Sequence, residues 1–413
     1  MKSRSPVRPS SQTRSLVFDA IRAAGPISRV ELAAKCALTE ATISNVVRIM
    51  LLDGLVVETG FSGSTGGKRR TLLEVNSAAR FAVGVSLDRE DITLVVSDLS
   101  GRMLGTSKEV GTGDTYPGIV VKAVAGAISD LLRDNDVDRS AVVGIGVASP
   151  GPLDTRRGVL RGQRPSSAWR DYPLEERLED LTGLRVVLDN DATCAALGEF
   201  WTNRSVSTAP VSATVYMADG IGCGILIDGR IFHGTSSNAG ELGHISLDTA
   251  GPVCQCGSRG CVEMYASPGA VAAAALADPH LVAELALTPK VASSRDNYSR
   301  IAHAAVNGNR RAEALVSAAA VSLAEGLITL TNILDLDRVT LSGPGFSVAG
   351  PIFTRVIGER LTAGIFMREI HPVQTLLSSI GEESAAVGAA AMALQHEVTP
   401  HLAVSSRRPS ALA

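Results

Sequence analysis

The sequence predicts an α/β protein in two parts: an N-terminal winged helix-turn-helix, then a larger domain of strand pairs and crossover helices. Three observations predict it. Between residues 15 and 50, apolar residues recur at helical spacing on either side of a tight turn. Between 55 and 75, two short strand-like runs flank a glycine-rich segment. From Phe81 onward, β-rich runs alternate with helical stretches. At 413 residues the chain is too long for one ordinary domain. The pattern changes place a basic arm at 1–10, the helix-turn-helix at 11–76, the larger domain at 80–398 and a tail at 399–413.

Taken in order, Ser15 to Arg22 carries Leu16, Val17, Ala20 and Ile21 at helical spacing and stops at Gly25-Pro26. Ser28-Arg29-Val30-Glu31 is a capping box that opens a short helix, Arg29 to Cys36. A turn, Ala37 to Glu40, leads to a third helix capped near Thr39. There Ile43, Val46, Val47 and Met50 recur at core spacing, and Glu40, Thr42, Ser44, Asn45 and Arg48 share the opposite face. Leu55 to Glu58 and Arg70 to Val75 read as strands, with the wing Gly60 to Lys68 between them. Small three-helix units also serve as protein-interaction modules, but a wing ending in Lys68-Arg69-Arg70 supplies phosphate contacts. The expected partner is DNA. Thr42, Ser44, Asn45 and Arg48 are the base-edge candidates, since Asn reads adenine and Arg reads guanine in bidentate fashion. Arg29, Lys68, Arg69 and Arg70 are the candidates for phosphate or minor-groove contacts.

Charge supports this division. The whole chain carries a net charge of only −3, yet residues 1–75 hold 11 Lys/Arg against 6 Asp/Glu, so the remainder is at −8. Met1 to Ser15 is polar and basic, which excludes a signal peptide. No long uninterrupted apolar run is seen, and six cysteines in so long a chain do not make a secreted disulfide framework. A cytosolic protein without membrane attachment is expected.

In the larger domain Val83 to Leu87, Ile92 to Asp98 and Val142 to Ala148 read as strands, with a helix from Gly118 to Arg133. A second set begins near Thr214, with Val215 to Met217, Gly224 to Ile227 and Val339 to Ser342. Helices Ala312 to Leu334 and Ser384 to His396 are expected to cover the far side of that second set. Between them lies the densest chemistry in the chain. His244, Cys254, Cys256 and Cys261 offer three thiols and an imidazole, the ligand set of a closed tetrahedral zinc site. A disulfide would leave one cysteine over, and Cys254-Gln-Cys256 is too short for easy bridging. Gly257 and Gly260 can turn the loop, and Glu241 and Glu263 flank it.

Glu241-Leu-Gly-His244, followed by Cys254-Gln-Cys-Gly-Ser-Arg-Gly-Cys261-Val-Glu263, resembles the motif of the ROK proteins (repressors, open reading frames and sugar kinases). The resemblance runs from about residue 11 to residue 395. It implies a two-lobed, actin-like sugar-kinase fold with a ligand cleft between the lobes, a structural zinc, a sugar effector, and a homodimer or dimer of dimers. It also implies that Asn190, Asp191, Glu241, His244 and Glu263 ring the sugar, with Asp191 at the position of the general base in the kinases. Asn-Asp is also a common turn pair, and Ser149-Pro150-Gly151-Pro152, which matches the loop under the sugar, is a generic turn. The nucleotide side departs from the kinase pattern. Asp-x-Gly-x-Thr becomes Ser86-Leu-Asp88-Arg-Glu90, the second phosphate loop begins Ala218-Asp219, and Ser342-Gly-Pro344-Gly has proline in place of glycine. Three carboxylates facing a triphosphate repel it at about 4 kcal/mol per close pair. The expectation is a sugar-responsive repressor that binds an inverted-repeat operator and has lost ATP. The alternative is a sugar kinase with an appended DNA-binding domain.

Overall fold

The computed structural model describes residues 10–61, 70–162, 165–203, 209–289 and 294–398. The N-terminal head has helices Ser11–Ala24, Arg29–Lys35 and Glu40–Leu52. Each begins where a side chain can accept one of the orphaned first-turn N–H groups. Ser10 accepts from Thr13, Ser28 forms the full reciprocal box with Glu31, and Thr39 accepts from Thr42. Val17, Ile21, Leu32, Ile43, Val47, Met50 and Leu73 close the head's core. Strands Val56–Phe61 and Thr71–Val75 pair antiparallel, and Ile27–Ser28 adds a third strand beside the latter. Most of the predicted wing, with Lys68 and Arg69, lies outside the described residues.

The larger domain holds two five-stranded sheets built on one plan. In the first, Phe81–Leu87 forms a hairpin with Asp91–Asp98, and Val142–Ser149 and Val186–Asn190 add in parallel on the other side. In the second, Val211–Met217 forms a hairpin with Ile221–Ile227, and Arg338–Ser342 and Gln374–Leu377 add in parallel. Each sheet thus starts with a tight hairpin whose turn points to one end, where the cleft lies. The strand Met103–Val110, at the edge of the first sheet, escapes sequence reading because it is mostly exposed and polar. The second hairpin's outgoing strand starts at Ile221 rather than Gly224, so Ala218-Asp219-Gly220 is its turn.

One expectation is corrected. Helix Arg310–Leu334 packs in the second lobe, against Gly350–Gly364, but Ser384–Val398 returns to the first. It lies on strands Phe81–Leu87 and Val142–Ser149 and beside helix Asp191–Thr202. Glycine makes that possible. A Cβ on Gly84 would fall 1.8 Å from the Ala386 carbonyl oxygen, and one on Gly146 would fall 1.8 Å from that of Ala389. Helix Arg310–Leu334 is long and apolar enough to cross a membrane by length and composition. It is instead a core helix, with Val316, Ala320, Leu323 and Leu327 fully buried in the second lobe.

The head does not hang free. Val17, Phe18 and Ile21 share one apolar cluster with Leu99, Phe200, Trp201, Leu394 and Val398 of the larger domain.

Candidate functional site

A cavity of about 600 Å³ opens between the lobes, lined on one side by Asn190, Asp191, Glu241, His244 and Glu263. All five predicted cleft residues therefore meet, although they are spread over more than seventy positions of sequence. Asn190 and Asp191 come together because strand Val186–Asn190 runs directly into helix Asp191–Thr202. The Asn190 side-chain oxygen caps that helix by accepting from the N–H groups of Ala192 and Thr193, at 2.9 and 3.2 Å. Gly151 brings its loop under the same point. A Cβ there would stand 3.4 Å from Asn190 Nδ2 and 3.8 Å from Glu241 Oε1.

Glu263 is buried and braced at both oxygens. It accepts from the Ile221 N–H at 3.2 Å and from Gln255 Nε2 at 3.1 Å. One carboxylate so joins the turn of the second hairpin to the cysteine loop. His244 bridges in the same sense. Its Nδ1 lies 3.6 Å from Cys254 Sγ, and its Nε2 faces Glu241 Oε2 at 4.0 Å. The imidazole can therefore serve the cysteine cluster with one nitrogen and the cleft with the other.

The cluster has the dimensions of a metal site. Cys256 Sγ and Cys261 Sγ lie 3.7 Å apart, and the four ligand atoms of His244, Cys254, Cys256 and Cys261 all lie within 4.8 Å of one another. A tetrahedral centre with metal–sulfur bonds near 2.3 Å and metal–nitrogen bonds near 2.05 Å requires edges of about 3.6–3.8 Å. Gly257 and Gly260 both have positive φ, +93° and +61°, where the loop reverses. At Gly260 only glycine fits, because a Cβ would meet the Asp248 carbonyl oxygen at 1.9 Å.

The opposite end of the cleft is acidic. Asp88 and Asp219 both line it. Burial, then the charge of Asp219 and, more weakly, that of Asp191, push the Asp88 carboxyl up to about 7, against a restraining hydrogen bond from the Arg89 N–H. Glu90, expected to be a third acid here, is exposed and not among the lining residues. The hairpin turns outward after Asp88, which carries Glu90 away; besides Asp219, the carboxylate whose charge acts on Asp88 is Asp191. Ser86 is buried, and its hydroxyl bonds the Tyr216 hydroxyl. Gly222 and Gly224 have a packing reason to be glycine. A Cβ on Gly224 would meet the Ala192 carbonyl oxygen at 2.3 Å, and one on Gly222 would meet the Ala192 Cβ at 2.8 Å.

Three contributors escaped the sequence. Asn238 accepts from the Leu153 N–H and donates to the Leu153 carbonyl, at 2.8 and 3.0 Å, tying the loop of Glu241 to the loop of Gly151. His233 Nε2 meets Asp189 Oδ2 at 2.8 Å, one residue before Asn190. Arg89 reaches Asp114 and the Pro165 carbonyl at the cleft rim. Asn238 and His233 belong to no motif and Arg89 fills a variable position of one; each works through a partner 25 to 85 positions away.

In the head, Ser44 and Arg48 are exposed on the outer face of the third helix. Asn45 lies between them and accepts from Arg48 Nη2 at 3.0 Å. Thr42 is partly engaged in capping through Thr39. Arg29 pairs with Glu58 of the wing strand at 2.8 Å, and Arg70 is exposed at the wing's return. Lys68 and Arg69 lie outside the described residues.

Two hairpin-led lobes around a cleft, with a helix-turn-helix ahead of them, define the class: a sugar-kinase-type α/β fold carrying a small helical head. The ROK family model matches residues 82–396, and the chain belongs to the ROK family. It is 28% identical over 373 residues to a putative xylose repressor of Caldicellulosiruptor sp. (strain Rt8B.4), covering 89% of this chain and 92% of that protein. Among solved structures it resembles a ROK family transcriptional regulator described as a homolog of the E. coli MLC protein. That match has a TM-score of 0.72 and 22% identity, over 96% of this chain and 99% of the other. A ROK glucokinase from Streptomyces griseus, solved with glucose and AMPPNP, matches at TM-score 0.65 and 27% identity over 76% of this chain and 99% of its own. The regulator thus extends over nearly all of this chain, the kinase over about three quarters of it.

Proposed function

We infer that this chain is a sugar-responsive transcriptional repressor of the ROK family. The head, residues 11–76, binds operator DNA as a winged helix-turn-helix, and the domain at 80–398 binds a sugar in its cleft. The observation that carries the reading is the asymmetry of that cleft in a chain with a DNA-binding type of head. Its sugar-kinase side presents the full polar ring, and its phosphate side presents Asp88 and Asp219. Asn190, Asp191, Glu241, His244 and Glu263 bind the sugar hydroxyls. Zinc held by His244, Cys254, Cys256 and Cys261 supplies no reaction chemistry; it fixes the loop that carries Glu241 and Glu263. Ser44, Asn45 and Arg48, with Thr42, read base edges, and Arg29, Lys68, Arg69 and Arg70 hold phosphates. A cytoplasmic homodimer, or a dimer of dimers, reads an inverted repeat with half-sites about 34–36 Å or a multiple apart.

The test is a fluorescence-anisotropy titration of duplexes selected by the protein from a random pool, with and without D-xylose, D-glucose or N-acetyl-D-glucosamine. Binding to a palindromic duplex that changes with one of these sugars is the expected result. Arg48→Ala should relax sequence preference, and Lys68→Ala should weaken all sequences and lower the salt slope by about 1. The kinase reading keeps one observation in its favour, Asp191 at the cleft. Sugar-dependent ADP production that Asp191→Asn abolishes would replace the repressor reading.

A further inference from the structure

Helix Asp191–Thr202 connects the cleft to the head. At its first end stand Asn190 and Asp191, both at the cleft and both bonded to its first-turn N–H groups. Ten residues on, about 15 Å away at 1.5 Å per residue, its last turn ends at Phe200, Trp201 and Thr202. The carbonyls of a last helical turn have no partner within their own helix. Here a residue of the head supplies one. The guanidinium of Arg22, in the last turn of helix Ser11–Ala24, donates to the Trp201 carbonyl and, at 3.5 Å, to that of Phe200. Its Cζ stands 4.7 Å from the Trp201 ring centroid and 5.4 Å from that of Phe200, and its side chain is only 3% exposed. A cation at a helix C-terminus also meets the negative end of the helix dipole. One helix is thus capped by the cleft at one end and by the head at the other.

The helix lies in a bed that permits small displacements. A Cβ on Gly388 would fall 1.6 Å from the Cys194 carbonyl oxygen, and one on Gly198 would fall 2.5 Å from that of Ser384. Around these contacts the facing side chains are small, Ala192, Cys194 and Ala195 against Ala385 and Ala389, so a slight slide of the helix breaks few ridge-and-groove contacts. The same helix touches strands of both lobes, so a change in lobe spacing acts on it directly. At its far end a cavity of about 380 Å³, lined by Arg22, Gly101, Met103, Trp201 and Thr202, leaves the junction room to rearrange. The other contacts of the head with the body run through Val17, Phe18 and Ile21, which are apolar and non-directional, and through one backbone bond at the head's exit, from the Leu99 N–H to the Ser77 carbonyl at 3.3 Å.

We propose that Arg22 is the positioning residue that couples the cleft to the DNA-binding head, through helix Asp191–Thr202 as a strut capped by the ligand site at one end and by the head at the other. This rests on the reading of the cleft as a sugar site and of the head as a DNA reader. Sugar bound at Asn190 and Asp191 shifts the strut, and the Phe200 and Trp201 carbonyls carry Arg22, and with it the head, to a new angle.

The experiment measures reciprocal coupling in the full-length protein. The Kd for D-xylose, D-glucose or N-acetyl-D-glucosamine is measured by calorimetry with and without the selected duplex. In the wild-type protein the duplex should change the Kd of the active sugar by about 5- to 100-fold. In Arg22→Ala that factor should fall to within about twofold of 1, while the sugar Kd without duplex and the duplex Kd without sugar each stay within about threefold of wild type. Arg22→Lys, which keeps the charge but loses the fork, should retain part of the coupling. Phe18→Ala removes the ring that packs 6.4 Å from that of Trp201 but leaves Arg22 and both carbonyls in place; it should lower the melting temperature yet keep the coupling. Coupling that survives in Arg22→Ala, or that Phe18→Ala removes equally, overturns the inference and leaves the repressor reading standing. A wild-type protein without any sugar–duplex coupling overturns both. A further readout leaves the junction intact: the chain has two tryptophans, so in Trp169→Phe the indole of Trp201 reports alone. Its emission should shift on saturation with the active sugar, and an unchanged spectrum with sugar bound also overturns the inference.

Discussion

Both ends of the cleft draw residues from both lobes, yet they treat charge in opposite ways. At the end that holds Asn190, Glu241, His244 and Glu263, acidic and basic groups are braced by second partners: Glu263 by Ile221 and Gln255, His244 by the cysteine cluster. At the other end, Asp88 and Asp219 face one cavity, and burial with mutual repulsion drives the Asp88 carboxyl up to about 7. The difference teaches that one architecture carries two chemistries at the two ends of a single cleft. The glycines persist at the acidic end because strand Ile221–Ile227 presses on helix Asp191–Thr202, a packing demand that survives whatever is bound.

The largest expected effect tests the braced end. Cys256→Ser, or stripping of the metal by a chelator, should cost about 3–5 kcal/mol, roughly 10 °C in melting temperature, because metal affinity is coupled to folding of the loop. Sugar affinity should fall with it. Metal analysis and thermal denaturation check this, and a folded, sugar-binding, metal-free chain would contradict it.

Next comes the acidic end. The folded pKa of Asp88 lies above its ordinary carboxylate value, so its contribution to stability is full below about pH 4. That contribution is lost as pH rises toward the folded value near 7. Asp88→Asn cannot ionise and should therefore gain about 2–4 kcal/mol over wild type at pH 8, with a much smaller gain at pH 5. Denaturant midpoints at the two pH values decide it. An equal effect at both would show that Asp88 does not titrate under strain.

Glu263→Ala should weaken the active sugar by about 1–3 kcal/mol, and Glu263→Gln by less, because the amide keeps one acceptor toward Ile221. Calorimetry reads both. The smallest effect belongs to Asn238→Ala. Loss of its two bonds to Leu153 should cost about 1 kcal/mol of stability and loosen sugar binding a fewfold. An Asn238→Ala chain as tight and stable as wild type would remove that residue from the site's support.

Local rules made much of this molecule legible. The capping box at Ser28 and Glu31 appears as read, since its donors and acceptors lie three residues apart. The buried stripe of Ile43, Val46, Val47 and Met50 follows from helical period alone. The cysteine cluster was legible because metal ligands on a short loop leave a spacing in the sequence. The polar ring of the cleft was legible through resemblance rather than periodicity.

What the sequence by itself determined was therefore the local grammar: caps, helix faces, the hairpins and the set of thiols and imidazole. Tertiary structure alone decided which side each piece faces. It sent Ser384–Val398 back to the first lobe, where Gly84 and Gly146 admit its backbone, and it turned Glu90 out to solvent while drawing Asp191 toward Asp88. It also set Arg22 against carbonyls 178 and 179 positions away. The reason is physical. Helix and turn energies depend on neighbours within about four residues, whereas burial, close backbone approach and the field at a carboxylate depend on atoms that only the folded chain brings within a few ångströms.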